Sequence, residues 1–168
     1  MKVSMHELAV PTLSRALDNL AGVLDKAAAH AEARKIDPAV LLASRLYPDM
    51  FPLSKQVQIA ADAAKGGASR LAQVEAPVFE DNETTFAELA ERCRKTVAYL
   101  KTLDAAKFEG SEDRTVTWKT RKGEKSMQGM PYLLTHVIPN IFFHAATAYG
   151  ILRHNGVELG KGDFLGTR

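Results

Sequence analysis

Apolar residues recur at spacings of three and four along four stretches of the chain, which is the periodicity of one buried face on an α-helix. The first three stretches begin after Ser4, near Pro52 and after Thr85, and the last lies between Pro131 and Gly156. Glutamate follows both Ser4 and Thr85 three residues later, which is the capping-box pattern of a helix start. Each amphipathic helix must cover its apolar stripe, so the pattern predicts an all-α four-helix bundle.

The last of these stretches carries most of the polar groups that could do chemistry. Asn140 and His144 lie one turn apart, with Thr147 close by, and Pro139 predicts a kink because it removes one backbone hydrogen bond. The apolar positions that we predict to face the core are Leu134, Ile138, Ile141, Ala145, Ala148 and Leu152.

The segment between the third and fourth predicted helices changes its period from helical to alternating. RTVTWKT (114–120) alternates apolar and polar residues, a turn containing glycine follows at 121–124, and EKSMQGM (124–130) can return as a partner strand. We therefore expect a two-stranded hairpin inserted into the bundle. A lone hairpin is marginal in water, so Val116 and Trp118 should pack on the bundle or on another subunit.

The connection between the first two long helices is interrupted by proline. Asp37 and Pro38 are a cap and a first-turn proline, which predicts a short helix over 38–46. Two prolines at 48 and 52 then prevent a continuous helix. Because Tyr47 and Phe51 are unfavourable in water, we expect this loop to fold back over the core and to take Asp49 with it.

Gly66 and Gly67 lie inside the second predicted long helix, where each costs about 1 kcal/mol relative to alanine. Two interpretations remain open at this point. The glycines permit close approach of another helix or a local break, or they form a hinge or a backbone-lined pocket.

Composition narrows the class of protein. A chain of 168 residues with 46% hydrophobic and 25% charged residues is typical of one soluble domain, residues 1–168. The sole cysteine, Cys93, allows no intrachain disulfide and favours a reducing compartment. No signal-peptide pattern and no run of about 18 apolar residues is present, so we expect a cytoplasmic protein without membrane contact.

The charge balance argues against nucleic-acid binding. A net charge of +2 is too small for an electrostatic footprint unless the basic residues share one surface. The local basic cluster is Lys119, Arg121, Lys122 and Lys125, and Glu124 interrupts it. We expect no nucleic-acid partner; the weaker alternative requires these side chains to lie together.

Among the five histidines, His144 is the candidate for chemistry. His136 and His144 are separated by about 12 Å along a helix, too far to bind one ion together. His144 borders the apolar face, and it is either a structural histidine or a ligand or general base. In the second case its partners come from other helices or from the 47–52 loop.

Two motifs, RLYPDMFPLSKQV (45–57) and FFHAATAYGILRHNGVELGKGDFLG (142–166), resemble the DinB-like (DinB/YfiT) superfamily of four-helix-bundle proteins, and specifically a bacterial branch of unknown function. With the helix pattern, the resemblance covers nearly the whole chain. It implies a homodimer and an end pocket in which typical members bind a divalent metal, such as Zn or Ni, through three histidines. Some members use that centre in thiol-transfer or isomerisation reactions.

The resemblance also assigns positions in the last helix. Superfamily proteins often end this helix with two histidines four apart, then a leucine-arginine pair and a glycine. Leu152, Arg153 and Gly156 match that ending, which puts His144 on the second histidine and Asn140 on the first.

The third histidine of the superfamily usually comes from the second helix, where this chain has none. One metal ligand of three, His144, is therefore retained, and an amide such as Asn140 is a poor ligand for a transition metal. Asp49 or Gln56 could substitute for the missing ligands.

The sequence thus predicts small-ligand binding at a degenerate metal-type pocket near His144. If the protein is an enzyme, His144 is the base or the retained ligand, and Asp49 is the carboxylate that orients it. Two alternatives stay open, a non-catalytic homodimeric structural or interaction protein and a metal-dependent transferase or isomerase. The residues that we expect to line the pocket are Tyr47, Asp49, Gln56, Trp118, Asn140 and His144.

Overall fold

The predicted elements are present in the structure, a computed structural model that describes residues 3–120 and 122–167. Both predicted capping boxes form, at Ser4 with Glu7 and at Thr85 with Glu88. A π-helical segment, Tyr132–Val137, joins α5 to α6, and a 3₁₀ turn, Ala105–Phe108, follows α4. The helices and strands are α1 (Met5–Arg34), α2 (Pro38–Leu42), α3 (Leu53–Ala72), α4 (Phe86–Lys101), β1 (Thr115–Thr120), β2 (Gly123–Gln128), α5 (Gly129–Pro131), α6 (Ile138–His154) and α7 (Lys161–Leu165).

Within the described ranges, the long helices α1, α3, α4 and α6 form the predicted four-helix bundle. Helices α1 and α3 each pack against both α4 and α6. His6 near the start of α1 contacts the carbonyl of Leu103 just beyond α4, so these two helices are antiparallel. Ser69 and Tyr99, near the ends of α3 and α4, share a hydrogen bond, so this pair is parallel. Helix α6 is antiparallel to α3, because the end of α3 bonds to residues just before α6.

Leucine and alanine fill the space between the four long helices, as their periodicity predicts. Alanine allows close approach of the helices, and leucine fills the space that remains at little cost in side-chain entropy. Examples of side chains with 0% exposure, drawn from each long helix, are Leu17, Leu24, Leu53, Leu100 and Ile141.

The glycine pair in α3 marks a close contact with the last helix. A Cβ atom added at Gly67 would lie 2.5 Å from Cγ1 of Val137, which is well inside van der Waals contact. The close-approach interpretation of Gly67 is therefore confirmed. A Cβ atom at Gly66 would instead lie 2.8 Å from Nη1 of Arg70, so Gly66 makes room for that guanidinium.

The π-helical segment changes which residues of the last helix face the core. The N–H of Ile138 donates to the carbonyl of Leu133, five residues back, and the next residue, Pro139, has no N–H to donate. The irregularity predicted at Pro139 thus takes the form of a wide turn immediately before it. As a result Leu134 is 47% exposed, and its predicted place on the core face is wrong; Leu133 is buried instead.

The predicted hairpin is confirmed and packs on the bundle through the predicted face. Strands β1 and β2 pair antiparallel, with Val116 opposite Met127 and Trp118 opposite Lys125. Val116 is 3% exposed and Trp118 is 9% exposed, whereas the alternate residues of β1 point outwards. Arg121, in the turn, lies outside the described residues.

The 43–52 loop does not fold back over the core, so that expectation is wrong. Tyr47 is 66% exposed and Phe51 is 42% exposed, and Asp49 is exposed with them. The preceding helix ends at Leu42 rather than at residue 46, and the hydroxyl of Ser44 donates to the carbonyl of Val40.

Side-chain capping explains how this loop can remain at the surface. The guanidinium of Arg45 donates to the carbonyls of Pro48 and Met50, at 3.5 and 3.2 Å. The N–H of Leu53 donates to the carbonyl of Ser44 and ties the loop to the start of α3. The backbone is therefore satisfied without burial, and the aromatic side chains are left exposed.

Candidate functional site

His144 and Gln56 form a buried hydrogen-bonded pair between α6 and α3. Nδ1 of His144 lies 2.6 Å from Oε1 of Gln56, and only 8% of the histidine is exposed. The amide nitrogen of Gln56 donates to the carbonyl of Phe51 at 3.0 Å. Because that carbonyl can only accept, the oxygen of the amide must face the imidazole, and Nδ1 must carry the proton. The remaining ring nitrogen, Nε2, is then a free acceptor.

Burial lowers the pKa of His144 below its ordinary value, so the imidazole is neutral at pH 7. A lowered histidine pKa contributes stability that is present above the ordinary pKa and is lost as the pH falls. Nε2 has no hydrogen-bond partner among the described residues. It is also not among their fully buried unpartnered side-chain atoms, so it is not completely sealed from solvent.

The loop residues that we expected beside His144 lie elsewhere. Tyr47 and Asp49 are exposed on the 43–52 loop, and neither forms a hydrogen bond or ion pair between its side chain and a described residue. Gln56 takes the orienting role that the sequence offered to Asp49. It does so from the first turn of α3, where the residue is 2% exposed.

Asn140 and Trp118, also expected near His144, belong to a second group of side chains between α3 and α6. Asn140, Tyr132, His136 and Arg70 line a cavity of about 230 Å³. The Trp118 ring packs against this group, with centroids 4.8 Å from the rings of both Tyr132 and His136. The residues predicted for one pocket are thus divided among the exposed 43–52 loop, the Gln56–His144 pair and this second group.

Sequence reasoning missed Arg70, Tyr132 and His136 as members of this group. A signal was available, because Tyr132, His136 and Asn140 are spaced by four and therefore fall on one side of a helix. The hydroxyl of Tyr132 accepts from Nη1 of Arg70 at 3.2 Å. Burial raises the pKa of Tyr132 and the Arg70 charge offsets this only in part, so the phenol keeps its proton.

His136 is also held neutral at pH 7. Burial lowers its pKa, and the positive charges of Lys125 and Arg70 lower it further. Asp62 borders the same cavity, but its Oδ1 is already shared by Lys65 at 3.1 Å and Arg92 at 3.0 Å.

The residues present do not fit the three-histidine metal centre that the resemblance implies. His144 supplies one imidazole, and its Nδ1 is engaged by Gln56. The neighbouring candidates, Gln56 and Asn140, are neutral amides, which are weak ligands for transition metals. In the described part of the chain, no three histidine, cysteine, aspartate or glutamate side chains lie together as a metal site would require.

The structure also places the sole cysteine and the lysines of the hairpin. Cys93 is fully buried, and burial raises the pKa of its thiol to about 12, which is unsuitable for a nucleophile. Lys125 lies on the Trp118 face of the hairpin, whereas Lys119 pairs with Glu124 on the opposite face. The described lysines of the basic cluster are therefore divided between two surfaces.

None of the described helices is both long enough and apolar enough to span a membrane.

Known proteins similar to this chain agree with its architecture. Residues 5–165 match the family model described as a domain of unknown function, DUF1993. A crystal structure of a DinB family member protein from Shewanella denitrificans is 46% identical, with a TM-score of 0.88, and the match covers 96% of this chain and 91% of that chain. No curated protein matches. The predicted resemblance to the DinB-like superfamily is thus confirmed.

Proposed function

The chain belongs to the DUF1993 family within the DinB-like superfamily, and we propose that it binds a small, largely apolar molecule through the neutral imidazole of His144. The observation that carries this proposal is the Gln56–His144 pair. It fixes one tautomer and leaves Nε2 as an acceptor that has no partner among the described residues and is not completely buried. An acceptor of this kind favours a ligand with one hydroxyl or N–H donor.

The side chains around the imidazole favour an apolar body for the ligand. The Phe143 ring packs edge-on against His144, with centroids 5.1 Å apart and planes at 85°. Phe51, whose carbonyl holds Gln56, is 42% exposed. Because a neutral imidazole attracts neither cations nor anions strongly, a neutral aromatic or aliphatic alcohol fits better than a charged metabolite.

Phenol and anisole provide a matched pair of probes, since they share a ring and differ in the hydroxyl donor. We expect phenol to shift the Nε2 resonance of His144 saturably in ¹⁵N-labelled protein, and anisole to leave it in place. His144→Gln should abolish phenol binding. His154→Gln, which changes an exposed histidine of the same helix, should retain it. Equal phenol binding by His144→Gln and the wild type would contradict the proposal.

A specific observation also favours the alternative of a homodimer. Four large apolar side chains are exposed on the 43–52 loop and on α6, and exposed apolar side chains of this size are typical of an interface. The Phe51 carbonyl binds Gln56 and the Phe143 ring contacts His144, so two of the four residues adjoin the pair. Leu46 also approaches α6 at Gly150. The four side chains and their exposed fractions are Leu46 at 47%, Tyr47 at 66%, Phe51 at 42% and Phe143 at 58%.

Sedimentation tests the homodimer directly. We expect the wild-type chain to sediment as a dimer and Phe143→Glu to sediment as a monomer, because a buried unpaired carboxylate opposes association. Val78→Glu is the control, since Val78 is 88% exposed on the 74–83 segment, which carries none of the four side chains, and it should remain dimeric. A wild type that is monomeric at every concentration would remove this candidate function.

A further inference from the structure

We propose that the cavity lined by Arg70, Tyr132, His136 and Asn140 binds a small organic carboxylate, at a site separate from the Gln56–His144 pair. These residues come from α3, from the π-helical segment and from α6, and all four border one space of about 230 Å³. That volume lies below the range of pockets for drug-sized molecules, about 300–1,000 Å³, so the ligand is a small metabolite rather than a peptide.

Arg70 provides the cation that a carboxylate requires. Its guanidinium forms no ion pair with any described carboxylate, and its hydrogen-bond partner is the neutral Tyr132 hydroxyl. The missing side chain at Gly66 gives the guanidinium its place, since a Cβ atom there would lie 2.8 Å from Nη1. A planar guanidinium donates two parallel hydrogen bonds to a planar carboxylate, a geometry that a lysine cannot reproduce.

The charges around the cavity favour a monoanion over a dianion. Asp62 borders the space, although Lys65 and Arg92 already hold its Oδ1. A phosphate dianion would need more positive charge than Arg70 alone supplies beside the carboxylate of Asp62. The other nearby cation, Lys125 on β2, acts on His136. A carboxylate carries a single charge, which Arg70 alone can balance.

The aromatic residues supply a flat wall for the ligand, and Asn140 supplies a second hydrogen-bond donor. The rings of Tyr132 and His136 stack with centroids 5.5 Å apart, and Trp118 packs against both. The side-chain amide of Asn140 can donate to a carboxylate oxygen from the next turn. The site therefore suits an acid with a flat or short apolar body.

Binding of a carboxylate should depend on the protonation of His136. Burial, Lys125 and Arg70 hold its pKa low in the free protein, and an added negative charge favours the protonated ring. The neighbouring Tyr132 stays neutral, and the carboxyl group of Asp62 is paired with Lys65 and Arg92. Binding thus takes up a proton, so affinity should rise as the pH falls, down to the pKa of the ligand itself.

The single tryptophan of the chain gives a direct readout, because Trp118 lies against His136. Sodium benzoate is the probe, benzamide is its neutral counterpart and sodium phosphate is the competing oxyanion. We expect benzoate to change Trp118 fluorescence saturably, with a dissociation constant in about the millimolar range for a ligand of this size. Benzamide and phosphate should not change the fluorescence.

Arginine variants test the assignment without disturbing the core, because Arg70 is exposed. Arg70→Gln should weaken benzoate binding about tenfold or more, and Arg70→Lys should fall between it and the wild type. Arg34→Gln, which removes an equal charge from the exposed end of α1, should bind as the wild type does. No saturable benzoate response, equal binding by Arg70→Gln, or preference for phosphate would each overturn the proposal.

Discussion

Replacing Arg92 with methionine is expected to lower the free energy of unfolding by about 2–3 kcal/mol, less than for a fully buried ion pair, because the side chains of Asp62 and Asp81 are 46% and 36% exposed and remain solvated. The side chain of Arg92 is 2% exposed. Its guanidinium contacts three carboxylates, those of Asp62 at 3.0 Å, Asp81 at 2.9 Å and Glu83 at 2.8 Å. It also donates to the carbonyl of Glu80. Without it, the carboxylates would face one another, and the 74–83 segment would depend on its other bonds, such as those from Lys55 and Gln58 of α3.

Chemical denaturation of both proteins measures this difference, and Arg94→Met is the matched control. Arg94 lies two residues later on the same helix, and its side chain is 47% exposed. It pairs with Asp25, whose side chain is 52% exposed. An exposed pair contributes at most about 1 kcal/mol. Similar losses in the two variants would show that the buried network adds nothing beyond surface pairing.

The same network predicts how stability depends on pH. Burial alone would raise the pKa of Glu83, but hydrogen bonds from Arg92 and Gln58 outweigh it and lower the pKa. In Asp81, burial likewise opposes Lys55 and Arg92, which lower its pKa. A lowered carboxyl pKa contributes stability above its unfolded value and loses it as the pH falls. The wild type should therefore lose stability in acid more steeply than Arg92→Met does.

Gly129→Ala is expected to destabilise the protein by about 3 kcal/mol, at the upper end of the range for overpacking. An added Cβ atom would lie 1.8 Å from the backbone oxygen of Ser111, and a backbone atom cannot rotate away as a side chain can. The neighbouring N–H of Met130 donates to the carbonyl of Glu112 at 2.9 Å, which holds the two segments together. Relief of the clash must therefore separate residues 129–130, between β2 and the last helix, from residues 111–112.

The control for this variant is Gly22→Ala, in the middle of α1. No described atom lies within 4 Å of a Cβ atom placed there, so alanine should stabilise the helix by up to about 1 kcal/mol. Denaturation curves for both variants give the comparison. A loss at Gly129 no larger than the change at Gly22 would mean that the backbone yields more easily than its contacts indicate.

The bundle could be predicted from the sequence because its determinants are local. Capping boxes at Ser4 and Thr85 and the spacing of leucine and alanine specify where helices begin and which face is buried. The wide turn before Pro139 could not be predicted in the same way. A proline predicts an irregularity, but the neighbouring packing decides whether the helix bends or adds a residue to one turn.

The residues of the candidate sites were predicted only in part, because local spacing does not specify which helices pair. His144 and Gln56 were both named from the sequence, and they do form a pair. Asn140 was assigned to the same place because the superfamily ending puts it one turn before His144. The side chains that accompany Asn140 come from α3 and from the π-helical segment, so their convergence depends on the helix pairing and not on local spacing. Arg92 is similar, since its acidic partners precede it by 9–30 residues.

The wide turn at Tyr132–Val137 holds one residue more than an ordinary helical turn, so the two halves of the last helix keep their relative orientation while their sequence register shifts by one. In an α-helix each residue turns the chain by about 100°. Closing this turn into an α-helix without removing a residue would therefore rotate the first half by about that angle, while His144 stays opposite Gln56. The rings that contact Trp118 would then turn away from it. The choice between two hydrogen-bond patterns in six residues thus decides whether these rings assemble, and it leaves the Gln56–His144 pair untouched.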